Sequence, residues 1–330
     1  MSRHRPTPPP PREFAEALAS ARPPGPLTSW FRKDPRRTIA VRHFAGPASF
    51  RASLQHLRIA HLTDLHVGRV TPMAVQEAAV DLANAQHPDL VVITGDFVCH
   101  SQKYLDELAA LMKRFKAPVV GVLGNHDYWS GADEVRAALR KGGVEVLDNQ
   151  HTVITLRHQR LQVLGLDDAY TGHADRERAL KGLRRDLPTL GLSHIAEEAD
   201  RLWPHGVGLV LAGHTHAGQI TLARLHELAI GRLAGHKYVH GLYGTRRDEH
   251  GAGAVYVGAG IGAAVMPLRI GERGRREVTF FELGAEPGSL DEHHEEQEAL
   301  PGRAPTPELV AKRNAAVHRK KAKRERKTKA

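Results

Sequence analysis

Between residues 57 and 216 the chain repeats one pattern, in which a short aliphatic run breaks off abruptly into polar residues. The runs are LRIAHLTDLH (57–66), PDLVVITGDF (88–97), APVVGVLGNHD (117–127), LQVLGLDD (161–168), PTLGLSH (188–194) and HGVGLVLAGHTH (205–216). Four to six aliphatics bounded by Gly or polar residues suit strands covered on both faces. Between the first three runs, residues 72–86 and 102–115 place apolar side chains at three- and four-residue spacing, which predicts amphipathic helices. Strand, helix, strand, helix predicts an α/β layered fold, and ligands in such folds gather at the carboxyl ends of the strands. All six polar terminations fall on that edge. Residues 238–283 predict further strands joined by Gly-rich loops.

The flanks read differently. Residues 1–26 are Pro-rich and poor in aliphatics, which predicts a disordered or extended lead. In residues 27–58, Trp30, Phe31, Phe44 and Phe50 interleave with Arg32, Lys33, Arg36, Arg37, Arg42 and Arg51. That mixture suits an anionic membrane surface, while the alternation in Thr38–Phe44 suits a strand packed on the domain. After about residue 285 the chain turns acidic, then Pro-rich, then strongly basic, and reads as a solvated tail.

Charge follows the same division. The 47 Lys and Arg exceed the 37 Asp and Glu by ten. Residues 1–58 hold 11 basic and 3 acidic side chains and residues 312–330 hold 10 and 1, which leaves a net of −7 for the segment between them. The surplus of positive charge therefore belongs to the ends, where it could meet an anionic membrane or nucleic acid. No stretch approaches the roughly 20 apolar residues of a membrane span, and MSRHRPTPPPPREF lacks the apolar core of an export signal. A cytoplasmic protein with at most peripheral membrane contact is expected. The single cysteine, Cys99, permits no intramolecular disulfide and reads as a small buried hydrophobe.

In order, the terminations present Asp64-x-His66, Gly95-Asp96, Gly124-Asn125-His126-Asp127, Ser193-His194 and Gly213-His214-Thr215-His216. Carboxylates, imidazoles and one amide form a mixed oxygen and nitrogen set suited to Mn, Fe, Zn, Co or Ni, with manganese favoured. No thiolate is included, which sets aside a Cys-rich structural zinc site. Two side chains separated by one residue at the end of an extended segment point the same way, so one turn can present both. A Gly before Asp96, Asn125 and His214 would let the backbone turn or approach closely. Asp167 and Asp168 end a strand in the same layer and read as supporting residues. His173 and His240 stand out among the other histidines as substrate-side candidates.

These motifs, in this order, resemble the calcineurin-like metallophosphoesterase superfamily, over roughly residues 58–283. The resemblance implies a β-sandwich flanked by helices in an α-β-β-α order. It also implies two divalent metal ions, one held by Asp64, His66 and His216, the other by Asn125, His194 and His214, with Asp96 bridging. His126 would lie above the pair, stabilising phosphoryl oxygens or protonating the leaving group, with Asp127 orienting it. Phosphoester hydrolysis at neutral pH needs an acidified water and cations beside oxygens already anionic, which a metal pair about 3.5–4 Å apart provides.

GNHDYW (124–129), AGHTHAGQI (212–220) and the stretch from YVHGLYG to the end of REVTFFEL are similar to a bacterial branch. That branch includes UDP-2,3-diacylglucosamine pyrophosphate hydrolases and phosphodiesterases of unassigned substrate. The expected division is a Pro-rich basic extension at 1–56, a metallophosphoesterase catalytic domain at 57–284 and a disordered tail at 285–330. The leading reading is a phosphodiesterase or pyrophosphate hydrolase acting on a nucleotide-linked or lipid-linked small substrate. A nuclease collecting substrate on its basic ends is the alternative, and a non-catalytic binding module the third.

Overall fold

The computed structural model describes residues 34–218, 234–247, 253–264, 269–293 and 295–303, with isolated positions up to 315. The Pro-rich lead, Trp30 to Lys33 and the basic tail other than Lys312 and Ala315 lie outside the described residues.

The aliphatic runs form β2 (Leu57–Leu62), β3 (Leu90–Thr94), β4 (Val119–Val122), β7 (Gln159–Gly165), β8 (Thr189–Leu192) and β9 (Val207–Ala212). β1 (Ile39–Ala45), β5 (Val144–Val146), β6 (Gln150–Leu156), β10 (Gly241–Gly244), β11 (Ala254–Val257) and β12 (Arg276–Leu283) complete two sheets. One has the order β1-β12-β2-β3-β4-β5 and the other β10-β11-β9-β8-β7-β6. β2 through β5 run parallel, as do β7, β8, β9 and β11.

Alternation along the strands sorts side chains to the two faces. Leu57 and Ile59 of β2, Leu90 and Val92 of β3, Val120 and Val122 of β4, and Leu209 and Leu211 of β9 meet in one core between the sheets. Ala60, Leu62, Val91 and Ile93 point the other way, against α1 (Met73–Ala85), α2 (Leu105–Met112) and α4 (Ala132–Lys141). α1 buries Ala79, Val80 and Ala83 there, and α2 buries Leu108, Leu111 and Met112, each set at helical spacing. The outer face of the second sheet is covered by α5 (Arg176–Leu180) and α6 (Ala199–Leu202) through Ala179, Ala199 and Leu202. The order is therefore helix, sheet, sheet, helix. A short α3 (Asn125–Ser130) stands at the end of β4.

Two features depart from the reading of the sequence. Residues 238–283 divide between the sheets: β10 and β11 join the second, whereas β12 enters the first between β1 and β2. The acidic stretch after 285 also does not run free at its start. Arg246, buried at 2% exposure, draws Glu292 to 2.7 Å and Glu296 to 3.1 Å. The Gln297 N–H then donates to Leu242 O at 2.8 Å, and Leu300 N–H donates to Lys237 O at 3.0 Å. A buried guanidinium needs carboxylate partners, and these glutamates supply them.

A second buried cation ties the sheets together. Glu277 of β12 accepts from Arg42 Nε of β1 at 2.7 Å and from Tyr256 OH of β11 at 2.8 Å. It also accepts from Ala259 N–H at 2.9 Å and lies 3.1 Å from His240 Nε2. His240, read as a substrate-side candidate, is thus absorbed in a buried network. His173 instead stacks on Tyr128, with ring centroids 3.8 Å apart.

Candidate metal centre

The candidate residues leave from five strand ends. Asp64 and His66 follow β2, Asp96 follows β3, and Asn125 to Asp127 open α3 after β4. His194 follows β8, and His214 and His216 follow β9. Backbone bonds fasten the loops to one another: Asp64 N–H donates to Gly95 O at 3.0 Å, His66 N–H to Asp96 O at 2.9 Å, Gly213 N–H to His194 O at 3.2 Å and Gly262 N–H to Asp64 O at 2.7 Å.

Asp64, His66, Asp96, His214 and His216 all adopt positive φ, between 46° and 74°. Each such residue costs about 1–2 kcal/mol against the ordinary conformation, and Asp and His tolerate it better than most. The D-x-H and H-x-H pairs therefore converge through left-handed turns, not along an extended segment as the spacing suggested. Gly124 is extended, with φ −111°, and its role is close approach: a Cβ there would lie 2.6 Å from Asp96 N.

The side chains form two groups that share one carboxylate. In the first, His66 Nε2 lies 3.0 Å from His216 Nε2, and His216 Nε2 lies 3.3 Å from Asp64 Oδ1. In the second, His194 Nε2 lies 3.2 Å from Asn125 Oδ1 and 3.3 Å from His214 Nδ1. Asp96 Oδ2 is 3.4 Å from both His66 Nε2 and His194 Nε2. His126 stands beside the pair, its Nε2 4.0 Å from Asp96 Oδ2 and its backbone N–H donating to Asp96 Oδ1 at 2.8 Å.

These donors fit a divalent metal. Asp64 Oδ1 is fully buried and has no hydrogen-bond partner, an arrangement that costs about 1–3 kcal/mol unless something accepts its lone pairs. Asp64, His66, Asp96 and His216 offer ligand atoms within 4.8 Å of one another. Against the pull of burial, the nearby carboxylates of Asp64 and Asp96 hold the His66 imidazole up at about 10. His194 reaches about 10 for the same reason, burial being outweighed by Asp96. Asp96, though buried, is held well below the usual carboxylate range by His194 and His126. Burial, which Asp64 only partly offsets, presses His216 down to about 3. Protons on His66 and His194 thus balance the two aspartates, and they are the charges a metal would displace.

Asp127 does not orient His126. Its Oδ2 accepts from Gly124 N–H at 2.9 Å and its Oδ1 from Val98 N–H at 3.1 Å, so it caps α3 and fastens the loop after β3. The third helical position reaches back to the N-cap, which is where this side chain sits. Burial and the neighbouring Asp96 push its carboxyl up to about 7. Asp168 accepts from Thr171 N–H and Oγ1, and Asp167 is held by Tyr128 and by Arg136 at 3.0 Å, both in supporting roles.

Several neighbours were not foreseen. Trp129 lies 4.8 Å from the His126 ring, Tyr170 4.8 Å from His214 and His236 5.4 Å from His214, so aromatic rings surround the mouth. Arg269 donates to Ala259 O at 2.6 Å and Gly262 O at 2.6 Å, behind His216. Only Trp129 carried a local signal, standing one helical turn beyond Asn125.

Residues 57–218 match the calcineurin-like phosphoesterase family. The chain is 29% identical over 244 residues to the phosphodiesterase YaeI of Escherichia coli (strain K12), covering 72% of this chain and 85% of that protein. It is 31% identical over 202 residues to an uncharacterized metallophosphoesterase of Aquifex aeolicus (strain VF5), covering 56% and 75%. It is also 34% identical over 249 residues to a transmembrane protein with metallophosphoesterase domain of Danio rerio, covering 70% and 54%. The fold and the donor set define a metal-dependent phosphoester hydrolase. The chain belongs to the calcineurin-like phosphoesterase family. Among the described residues no helix is long and apolar enough to cross a membrane.

Proposed function

We propose that the chain is a dinuclear phosphodiesterase or pyrophosphate hydrolase for a small nucleotide-linked or lipid-linked substrate. Asp64, His66 and His216 would hold one ion and Asn125, His194 and His214 the other, with Asp96 across both. The observation that carries this reading is the position of Asp96 Oδ2, equidistant at 3.4 Å from the imidazoles that lead the two groups. When bound, a pair of divalent ions supplies an acidified water and neutralises phosphoryl charge for in-line attack. The oxygen, nitrogen and amide donors suit manganese, the first ion to test.

His126 takes the role nearest the substrate. Burial, which Asp96 only partly offsets, lowers its imidazole to about 4, so at pH 7 it is neutral and bonds without charge. An anionic phosphoryl group supplies the countercharge that its protonated form lacks, which favours proton delivery to the leaving oxygen once substrate is in place. The name of the Escherichia coli relative supports a diester over a monoester. A cytoplasmic setting, with the basic ends meeting an anionic membrane or nucleic acid, completes the proposal.

The test is hydrolysis of bis(p-nitrophenyl) phosphate with added manganese, alongside elemental analysis. Asp96→Asn should abolish turnover and lower the metal content, and a near wild-type rate would refute the bridging role. His126→Ala should lower turnover by about 10²–10⁴-fold while metal content is kept. Loss of metal from that variant would make His126 a ligand.

A further inference from the structure

Beside the candidate centre lies a cysteine that the proposed function leaves unused, next to two imidazoles that it employs through other atoms. The Cys99 sulfur, one nitrogen of His66 and one nitrogen of His126 lie within 4.8 Å of one another. Each imidazole turns Nε2 toward Asp96, at 3.4 Å from His66 and 4.0 Å from His126. The remaining nitrogens, His66 Nδ1 and His126 Nδ1, are both buried without a hydrogen-bond partner. The His66 side chain is wholly buried. Cys99 is buried too, and its thiol donates to Ala264 O at 3.2 Å. One sulfur beside two buried imidazoles makes a set whose chemistry differs from that of the main centre.

We propose that Cys99, His66 and His126 form a separate site for a soft divalent ion such as zinc, and that filling it inhibits hydrolysis. Tetrahedral zinc, with bonds of about 2.3 Å to sulfur and 2.0–2.1 Å to nitrogen, needs donors roughly 3.3–3.6 Å apart. The three donors lie within 4.8 Å of one another, so small side-chain rotations would bring them to that spacing. The main centre offers no thiolate and suits harder ions, whereas a Cys with two His prefers zinc or cadmium. On binding, the thiol proton and the extra proton of His66 pass to solvent, and the ion takes the sulfur and the two Nδ1 lone pairs, leaving a fourth position for water.

The inhibitory consequence rests on the roles proposed above for His66 and His126. A neutral imidazole has one lone pair, so an ion at His66 Nδ1 leaves the ring proton on Nε2 and removes that nitrogen from the main centre. The same ion fixes His126 away from the phosphoryl group. Manganese-supported turnover should therefore fall as zinc rises.

The experiment titrates the full chain with cadmium and follows the thiolate-to-metal charge-transfer absorption in the ultraviolet. The wild type should develop the band at one cadmium, while Cys99→Ser and Cys99→Ala should not. Loss of a residue that merely orients a ligand already costs about 10–100-fold in metal affinity, so loss of the thiolate itself should cost at least that factor. The zinc concentration that halves the manganese-supported rate, each variant measured against its own zinc-free rate, should rise by that factor in both variants. No band in the wild type, a band that survives in the variants, or unchanged zinc sensitivity would overturn the proposal. If the wild type hydrolyses no phosphodiester, the proposed function fails, and the cadmium band still decides the site.

Discussion

Gly95 is where three of the ligand-bearing strand ends meet, and replacing it with alanine makes a graded test of the centre. Its φ is +90°, and an added Cβ would lie 2.6 Å from His194 Nδ1, 2.8 Å from Gly124 N and 2.9 Å from Gly124 Cα. Non-bonded heavy atoms at rest keep about 3.5 Å, so the His194 ring and the chain leading to Asn125 must together give way by nearly 1 Å. A displacement of about 1 Å at a reacting centre can cost about 10²-fold in rate, equivalent to about 2.7 kcal/mol of barrier. Left-handed strain and overpacking add about 2–5 kcal/mol of lost stability. Gly206→Ala isolates the strain, because that residue has φ +87° and nothing within 4 Å of its Cβ position. It should lose only about 1–2 kcal/mol and keep its rate. Urea unfolding gives the stabilities, and kcat/KM on bis(p-nitrophenyl) phosphate, corrected for folded fraction, gives the rates. If Gly95→Ala loses no more rate than Gly206→Ala, the crowding of His194 and Asn125 around Gly95 does not govern catalysis.

Glu277→Gln leaves Arg42 buried without its carboxylate and should cost about 3–5 kcal/mol in urea unfolding at pH 7. Burial raises the Glu277 carboxyl but His240 and Arg42 outweigh it and hold it below its ordinary 4.5, so its contribution is full above 4.5 and drains as pH falls. The gap between wild type and variant should therefore narrow on acidification below that value, and a gap constant down to pH 3 would count against the assignment. Removal of metal by chelation should abolish hydrolysis and lower Tm. Manganese at a hundred times its Kd should restore about 2.7 kcal/mol, checked by a thermal shift. Arg246→Gln should release the stretch after 288 from the second sheet, seen as faster proteolytic cleavage there with the core left intact.

What the sequence disclosed is what is written locally. A buried parallel strand needs a run such as LVVIT, and a ligand at its end interrupts that run with Asp or His, so order, edge and residue type were all legible from short windows. The parts that stayed hidden depend on distant pairings. Arg42 and Glu277 are 235 positions apart, and nothing near either announces the other. The insertion of β12 between β1 and β2 is equally non-local. Asp127 misled for a different reason: its place beside His126 in the chain suggested a partnership, whereas α3 geometry turns its oxygens toward Gly124 and Val98. The left-handed turns at Asp64 and His66 were hidden too, because Asp and His permit that conformation without demanding it.

The division of the donors between the sheets gives the core a functional part. Asp64, His66, Asp96 and Asn125 leave the first sheet, while His194, His214 and His216 leave the second. Neither sheet carries a complete set for either proposed ion: the first group needs His216 and the second needs Asn125 and Asp96. The spacing of the donors is therefore set by the packing of Ile59, Val92 and Val122 against Leu192, Leu209 and Leu211. A close-packed interior transmits a shift of one layer to the other with little loss. The polar network around Glu277 pins the same two layers from the flank, through Arg42 on one sheet and Tyr256 on the other. Assembly of the metal centre and closure of the sandwich are on this account one event, and changes deep between the sheets should be read out first in metal affinity.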